Sequence, residues 1–329
     1  MERGKFLDIV VCGLDMSGTS TQIEGIINFF QNDGKTVKDL RGTEIDALFH
    51  TEKFQDEIKT HWGNDFINLS EFLFTVKDCA PTTTTTPENF LWYAHKLLSG
   101  GGTNQDLRVA SMVKNKVTTY INPNSADVWI LEEPTKRGSG QVNRVIEQNR
   151  SEFGDELNPK AAAESHSVYR TDEFLRLRKP LRENNKIIVR SRSEESACYQ
   201  VYDKDYLSKG VSEEYYLQLE GHKIAFANSP TNLFVVCGPE NWKEKDYLEF
   251  RKSRSNGRDL DDHEKKTQYQ LLVNKRYATD WLENLYKKGC KKYGSEIPEI
   301  TRFDIYASRE EINQQMANKI SFLLEKRIK

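Results

Sequence analysis

The sequence predicts an α/β fold in which helices flank a five-stranded parallel sheet. Short apolar runs of four to six residues, rich in Val, Ile, Leu or Phe, recur along the chain. Continuous runs of this kind are typical of strands that are buried on both faces of a parallel sheet. Longer segments with helical periodicity separate them, and the first run ends in a glycine-containing loop that opens a helix. The alternation of strand and helix predicts parallel strands joined by helical crossovers.

The elements follow in chain order from these patterns. The predicted strands are 7–11, 128–131, 187–190, 232–237 and 302–307. The predicted helices are 21–30, 161–181, 240–252, 265–290 and 309–327. Each helix lies beside a predicted strand, as a parallel sheet requires.

One long stretch, residues 33–126, interrupts this alternation. It contains a threonine run at 82–86 flanked by Pro81 and Pro87, and a glycine run at 100–102. Such clusters mark loops, although helical patterns lie between them. We interpret 33–126 as an inserted, mainly helical subdomain of unknown role, and 1–32 with 127–329 as the core.

The composition limits the classes of protein that fit. The 329 residues carry 48 Lys and Arg against 50 Asp and Glu, a formal net charge of −2. This near-balance argues against a dedicated nucleic-acid-binding protein, although a local basic site remains compatible with it. No apolar run approaches the roughly 20 residues that span a bilayer, and the first apolar stretch breaks at Gly13, so neither a membrane span nor a signal peptide is expected.

The cysteines indicate a reducing compartment. The five cysteines are scattered and form no CxxC pair. This pattern argues against a disulfide framework or a zinc site. A cytoplasmic location is therefore expected.

The first motif that could carry chemistry is the loop GLDMSGTS at 13–20. Gly13 and Gly18 have the spacing of the phosphate loop G-x-x-x-x-G-K-[ST], in which backbone N–H groups and a helix N-terminus surround a phosphate. Ser20 occupies the position whose hydroxyl binds Mg²⁺, whereas Thr19 stands where the lysine belongs. The simpler interpretation is a tight turn between a strand and a helix.

A second motif, EEPTKRGSG at 132–140, follows a predicted strand. Open α/β sheets bind ligands at the carboxyl ends of their strands. Two carboxylates followed by two cations suit a hydroxylated, anionic ligand. A solvated loop is the alternative interpretation.

The third motif runs from 161 to 200. His166 and Arg170 are four residues apart and therefore share a helix face. Arg190 and Arg192 leave the carboxyl end of a predicted strand, where charged groups more often face a ligand than a core. For His166 alone, a structural or surface role is the competing interpretation.

The fourth motif, FRKSRSNGRDLDDHE at 250–264, is a basic helix end followed by a glycine-containing loop and an acidic helix start. Mobile segments that carry arginine close over phosphates in phosphoryl transfer. The competing interpretation is an exposed loop of mixed charge.

Taken in order, these four motifs resemble those of the thymidylate kinase family of nucleoside monophosphate kinases. GLDMSGTSTQ is similar to the family's G-x-D-G-S-G-K-[ST]-T-Q, and LEEPTKRGSG is similar to its R-E-P-x-x-x-x-x-G loop. AAAESHSVYR and NKIIVRSRSEESACYQ resemble F-A-A-x-R and GKIVLxDRYxxSSxAYQ. RKSRSNGRDLDDHE resembles the family's lid, R-x-R-x-x-R-x-x-D-R-x-E. The resemblance covers roughly 5–32 and 127–326, and 33–126 falls outside it.

The resemblance implies a P-loop kinase fold and ATP- and Mg²⁺-dependent phosphorylation of dTMP or a related or modified dUMP. It also implies nucleotide substrates and a homodimer, since dimers are common in the family. It assigns ATP binding to Gly13, Ser17, Gly18, Thr19, Ser20, Thr21 and Arg251, with Ser20 as the Mg²⁺ ligand. It assigns acceptor binding to Asp15, Glu133, Lys136, Arg137, His166, Arg170, Tyr199 and Gln200. It assigns catalytic roles to Asp15, Arg192, Arg254 and Arg258.

The chain departs from the family pattern within these motifs. Thr19 replaces the loop lysine, Glu132 replaces the arginine of R-E-P, and His166 replaces a phenylalanine that stacks on the base. The family's Asp-Arg pair aligns either with Arg190-Ser191 or with Ser191-Arg192. Two other functions therefore stay open: a nucleotide-binding regulator or scaffold without turnover, and a kinase that acts on a group within DNA.

Overall fold

Six strands form one parallel sheet in the computed structural model, which describes residues 6–41, 122–134, 159–202, 210–255 and 266–328. The strands are β1 Leu7–Gly13, β2 Val37–Asp39, β3 Val128–Glu132, β4 Ile187–Ser191, β5 Asn232–Cys237 and β6 Glu299–Asp304. Their order across the sheet is β2-β3-β4-β1-β5-β6, and every neighbouring pair is parallel. The predicted parallel α/β architecture is confirmed, but the predicted number of five strands is wrong.

The additional strand, β2, is short and polar. Its three residues pair with Val128–Ile130 of β3, and all three are only half-buried because the strand lies at the sheet edge. A strand with one apolar residue leaves no apolar run to detect. The sheet therefore takes its edge strand from within 33–126, and the predicted helices of that stretch lie outside the described residues.

The described helices surround this sheet. They are α1 Thr19–Asn32, α2 Pro159–Glu173, α3 Lys179–Glu183, α4 Ala197–Gln200, α5 Glu213–Gln218, α6 Glu220–Ala227, α7 Glu244–Ser255, α8 Thr267–Ala278, α9 Trp281–Tyr293 and α10 Arg309–Ile328. A π-helical segment, Phe174–Arg178, joins α2 to α3. Helices α4, α5 and α6 had no counterpart in the sequence prediction.

The single helix predicted over 265–290 is in fact two, α8 and α9. The chain leaves the helical conformation at Thr279, which is extended (φ −100°, ψ −179°). Arg302 of β6 donates to the carbonyl oxygens of Tyr277 (2.7 Å) and Thr279 (2.6 Å), which supplies the donors that the end of a helix lacks. Because these donors come from a distant strand, the break leaves no local signal.

Alternate residues of the central strands enter two separate cores. On β3, Val128 and Ile130 belong to the larger core, whereas Trp129 belongs to a smaller one that includes Leu177 and Leu181. This is the two-residue period of a strand that is buried on both faces. All seven residues of β1 are buried, so the loop that follows β1 is attached to a rigid base.

Two further expectations concern the cysteines and the possibility of a membrane-spanning helix. The four cysteines within the described residues, Cys12, Cys198, Cys237 and Cys290, are free and buried. Among the described helices, none has both the length and the apolar character needed to cross a bilayer.

Candidate functional site

The loop between β1 and α1 has the backbone of an anion-binding turn. Gly13 (φ 159°), Met16 (φ 63°) and Gly18 (φ 81°) all have positive φ angles. A Cβ atom at Gly13 would lie 2.2 Å from the carbonyl oxygen of Val236, so only glycine fits there. Gly18 precedes α1 in the left-handed conformation and provides no side-chain cap, and the first turn of α1 carries no acidic residue. The N-terminus of α1 is therefore suited to an external anion.

The side chains of this loop fit a phosphate and a hard cation. The hydroxyl of Ser17 is buried and forms no hydrogen bond with the protein. Ser20 is exposed in the first turn of α1, and Thr19 and Thr21 are partly exposed beside it. Among the described residues, no group of three or more His, Cys, Asp or Glu side chains is placed to hold a metal ion. Mg²⁺ suits this setting because it is commonly held by one protein oxygen together with substrate phosphates.

Asp15 connects the loop to two distant parts of the chain. Its Oδ1 accepts a hydrogen bond from Arg192 at 2.5 Å, and its Oδ2 accepts one from the Nε2 atom of Gln270 at 2.8 Å. The hydroxyl of Tyr199 donates to the carbonyl oxygen of Gly13 at 3.1 Å and lies 3.4 Å from Oδ1 of Asp15. The loop is therefore fixed from β4, α4 and α8 at once.

Among the described residues, Arg192 is the cation that forms a hydrogen bond with the side chain of Asp15 on the loop. It has a left-handed backbone conformation (φ 67°), and its backbone N–H group donates to the carbonyl oxygen of Val11 at 3.0 Å. Its guanidinium group lies 5.1 Å from the centre of the Tyr199 ring, and its side chain remains 35% exposed. Arg190, the other candidate of the sequence alignment, is buried against Asp8. Of these two arginines, Arg192 is therefore the one whose side chain reaches the loop after β1.

Arg170 lies beneath the site and is fully engaged. Its Nε donates to Glu133 at 2.5 Å, its Nη1 donates to the hydroxyl of Tyr216 at 2.9 Å, and its Nη2 donates to Ser193 and Ser196. The side chains of Arg170 and Glu133 are 1% and 7% exposed. Burial alone would raise the pKa of Glu133, but the charge of Arg170 and its hydrogen bond lower it. Arg170 therefore supports the end of β3, and its side chain is almost completely shielded from solvent.

The base-facing candidates lie on α2 and α4. His166 is buried, and its ring meets that of Tyr169 edge to face at 5.3 Å. Gln200 is partly exposed, but its amide oxygen is buried and accepts no hydrogen bond. An amide group with an unused acceptor is suited to recognising an N–H group on a base.

The predicted lid arginines begin on α7. Arg254 is exposed and donates to the carbonyl oxygen of Ile305 at 3.0 Å, just after β6. Arg251 lies one turn earlier, with its guanidinium 5.9 Å from the ring of Tyr247. Three other predicted site residues, Lys136, Arg137 and Arg258, lie outside the described residues.

Sequence reasoning missed several residues of this region. Gln270 and Tyr216 hold Asp15 and Arg170, yet both come from helices without a recognisable motif. Trp242 donates to the hydroxyl of Tyr306 at 2.7 Å at the carboxyl edge of β5 and β6. The only local signal was the position of Trp242 shortly after a predicted strand.

No protein-family model matches this chain, and no curated protein has significant sequence similarity to it. The function proposed below therefore depends on the geometry of the site together with the order of the four motifs.

Proposed function

We propose that this chain has a P-loop kinase fold of the thymidylate kinase type. We further propose that it transfers the γ-phosphoryl group of ATP to a pyrimidine deoxynucleoside monophosphate, dTMP or a related dUMP. The observation that carries this proposal is the contact of Arg192 with Asp15 on the glycine loop at the carboxyl end of β1. It joins a cation from the neighbouring strand to a loop shaped for phosphate. Phosphoryl transfer depends mainly on such positioning and charge neutralisation.

The donor phosphates would occupy the concave side of the loop. Backbone N–H groups near Gly18 and the N-terminus of α1 would face them, and the unused hydroxyl of Ser17 would add a donor. Ser20 would provide the protein ligand to Mg²⁺, which neutralises the charge of the phosphates when it is bound. Thr19 adds a hydroxyl but no charge. The cation that the family places in the loop must therefore come from elsewhere.

The acceptor nucleotide would lie between the loop and α4. Arg192 reaches both, because it contacts Asp15 on the loop and the ring of Tyr199 on α4. The unused amide oxygen of Gln200 would accept from the N–H of a pyrimidine base. Arg170 on α2 and Glu133 after β3 would hold this side of the acceptor site in place through their ion pair.

The reaction itself is an in-line displacement in which an oxygen of the acceptor phosphate attacks the γ-phosphorus. The chain supplies no nucleophile for this step. Asp15 and Gln270 keep Arg192 at the junction of the two substrates, where its charge stabilises the phosphoryl group in transit. Arg254 and Arg251 on α7 would add positive charge from the lid side.

One observation favours a second function. Thr19 occupies the position of the loop lysine, so the loop itself provides no cation for the transferring group. A nucleotide-binding regulator without turnover would retain Asp15 and the glycine turn while losing that lysine. This alternative predicts binding of ATP or dTMP without formation of ADP.

A coupled assay of ADP release distinguishes the two functions. The purified chain is offered ATP and Mg²⁺ with dTMP, dUMP or a modified dUMP, and binding is measured in parallel by calorimetry. Arg192→Ala should abolish ADP release, whereas Arg309→Ala, on an exposed arginine at the start of α10, should not. Binding without turnover would support the regulator. The absence of both binding and turnover with every acceptor tested would contradict both functions.

A further inference from the structure

Glu195 is a buried carboxyl group that the proposed reaction does not use. It lies in the short 3₁₀ turn Glu194–Ser196 between β4 and α4, and none of its surface is exposed. Neither of its carboxylate oxygens forms a hydrogen bond with the protein. A carboxylate without water or hydrogen bonds is strongly disfavoured, whereas a neutral carboxyl group loses much less on burial.

The ionisable groups around Glu195 come from several elements. Two acids, Glu133 after β3 and Glu194 beside it, oppose its ionisation, and two cations, Arg170 on α2 and Arg192 after β4, favour it. The other ionisable neighbours are uncharged at neutral pH, and they are Cys12 on β1, Cys198 on α4, Tyr277 on α8 and Tyr286 on α9. The hydroxyls of both tyrosines are buried and have no hydrogen-bond partner either.

Each of the two arginines already has an acid as its partner. Arg170 is buried and paired with Glu133, whereas Arg192 is paired with Asp15 but keeps a partly exposed side chain that a ligand can reach. An additional negative charge at Glu195 would therefore have no cation of its own. Burial, followed by the charges of Glu133 and Glu194, raises the pKa of Glu195 to about 8.

We propose that Glu195 is a neutral, protonated acid at pH 7 and that this neutrality keeps Arg192 available to a dianionic phosphate. Glu195 would then be a positioning residue that acts through Arg192. The inference rests on the proposed function for the identity of the dianion, a nucleoside monophosphate. When Glu195 releases its proton to solvent, its charge offsets that of Arg192 and repels the dianion, so that the site weakens as the pH rises.

The size of the effect follows from the fraction of protein that retains the proton. One pH unit above the pKa of Glu195, about a tenth of the molecules retain the proton, so a dianion that binds only to the protonated form has a Kd about tenfold higher there. The phosphate of dTMP is already dianionic in this range, because its second pKa is about 6. Sulfate also stays dianionic throughout, and it tests the anion site without a nucleoside.

The first measurement detects the proton itself. Infrared difference spectra of the full chain are recorded from about pH 6 to about pH 9, for the wild type and for Glu195→Gln. We expect a carbonyl band of a buried protonated carboxyl group that disappears as the pH passes the pKa of Glu195. The band should be missing from Glu195→Gln. A wild-type spectrum without such a band would overturn the proposal.

The second measurement detects its effect on binding. Calorimetric Kd values for dTMP and for sulfate are measured from about pH 7 to about pH 9, where both ligands are dianionic. Both should rise with pH in the wild type and stay level in Glu195→Gln. Glu195→Met is a second uncharged variant, and it controls for hydrogen bonds that the side-chain amide of glutamine could form. Thymidine, which lacks the phosphate, should bind equally well at all pH values.

The outcomes separate this inference from the proposed function. Sulfate binding that weakens with pH only in the wild type, without any dTMP binding, would contradict the proposed function and support the role of Glu195. Level Kd values in the wild type, or weakening that persists in both uncharged variants, would overturn the role of Glu195. The failure of both ligands to bind at any pH would overturn it as well.

Discussion

Arg192 and Asp15 are 177 residues apart in the chain, and yet their side chains meet at 2.5 Å. The pairing of β1 with β4 brings them together, because Val11 lies opposite Ser191 in the sheet and each chain then leaves at the same edge. The loop that we propose to bind phosphate thereby has a cation beside it, although Thr19 itself carries no charge. The following predictions test this arrangement and the buried charges beneath it.

Asp15→Asn should weaken catalysis without unfolding the protein. If the amide oxygen stays towards Arg192, the amide nitrogen faces the Nε2 donor of Gln270, which removes one of the two hydrogen bonds. A hydrogen bond to a charged group contributes about 1.5–3 kcal/mol, so kcat/KM for dTMP should fall about 10- to 100-fold. The coupled assay measures this. Asp33→Asn, at an exposed position after α1, is the control and should behave as the wild type.

Thr19→Lys should increase activity. A lysine at this position adds the positive charge that phosphate loops place beside the transferring group. We expect ADP release to rise about tenfold, which corresponds to about 1.4 kcal/mol of transition-state stabilisation. Thr19→Met has a similar length without the charge and should give no increase. An equal effect of both variants would show that side-chain size, not charge, limits the reaction.

Arg170→Met should destabilise the fold. It leaves the carboxyl group of Glu133 buried without the cation that keeps it ionised, and breaking a buried ion pair in this way costs about 3–5 kcal/mol. The free energy of unfolding in urea measures the loss. Adding Glu133→Gln to Arg170→Met should restore part of it, since the buried carboxyl group that lost its cation is then removed. Unchanged stability together with lost dTMP affinity would instead make Arg170 a direct contact of the acceptor phosphate.

Asp8→Asn should also destabilise the fold, in a way that depends on pH. Asp8 is fully buried, with Arg190 at 2.9 Å, Arg178 at 3.3 Å and Arg182 at 3.5 Å. Burial alone would raise the pKa of Asp8, but these three arginines lower it. Its contribution to stability is therefore present above the pKa of an unfolded aspartate, near 4, and is lost as the pH falls through the lower folded value.

Unfolding curves at several pH values test this dependence. At pH 7 the variant should be about 3–5 kcal/mol less stable than the wild type, and the difference should shrink as the pH falls below about 4. Glu325→Gln, an exposed carboxylate on α10, should show no such difference. A constant gap at all pH values would mean that Asp8 acts through packing and not through charge.

The elements of the fold with strong local patterns could be predicted from the sequence. The predicted 7–11 and 232–237 correspond to β1 and β5, and 309–327 corresponds to α10. The features that the sequence did not predict share one cause: each depends on contacts with residues that are distant in the chain. β2 exists because it pairs with β3, and the break between α8 and α9 is held by Arg302 of β6.

The residues of the candidate site also fall into those that local sequence predicts and those that depend on distant contacts. Gly13 and Gly18 were predictable, because their role is a local backbone conformation. The choice between Arg190 and Arg192 was not, because it depends on which side chain meets Asp8 and which meets Asp15. Gln270 was missed because nothing in α8 indicates that it faces the loop.

The sequence by itself therefore determined the parallel α/β class, the turn at 13–18 and the order of the motifs, since these follow from local apolar patterns and from glycine. Only the tertiary structure decided which charges are paired, which are buried and which remain available. Arg170 is buried, Arg192 is partly exposed beside Asp15, and Glu195 is buried without a hydrogen bond. The physical reason is that the charge state and exposure of a side chain depend on partners from other strands and helices.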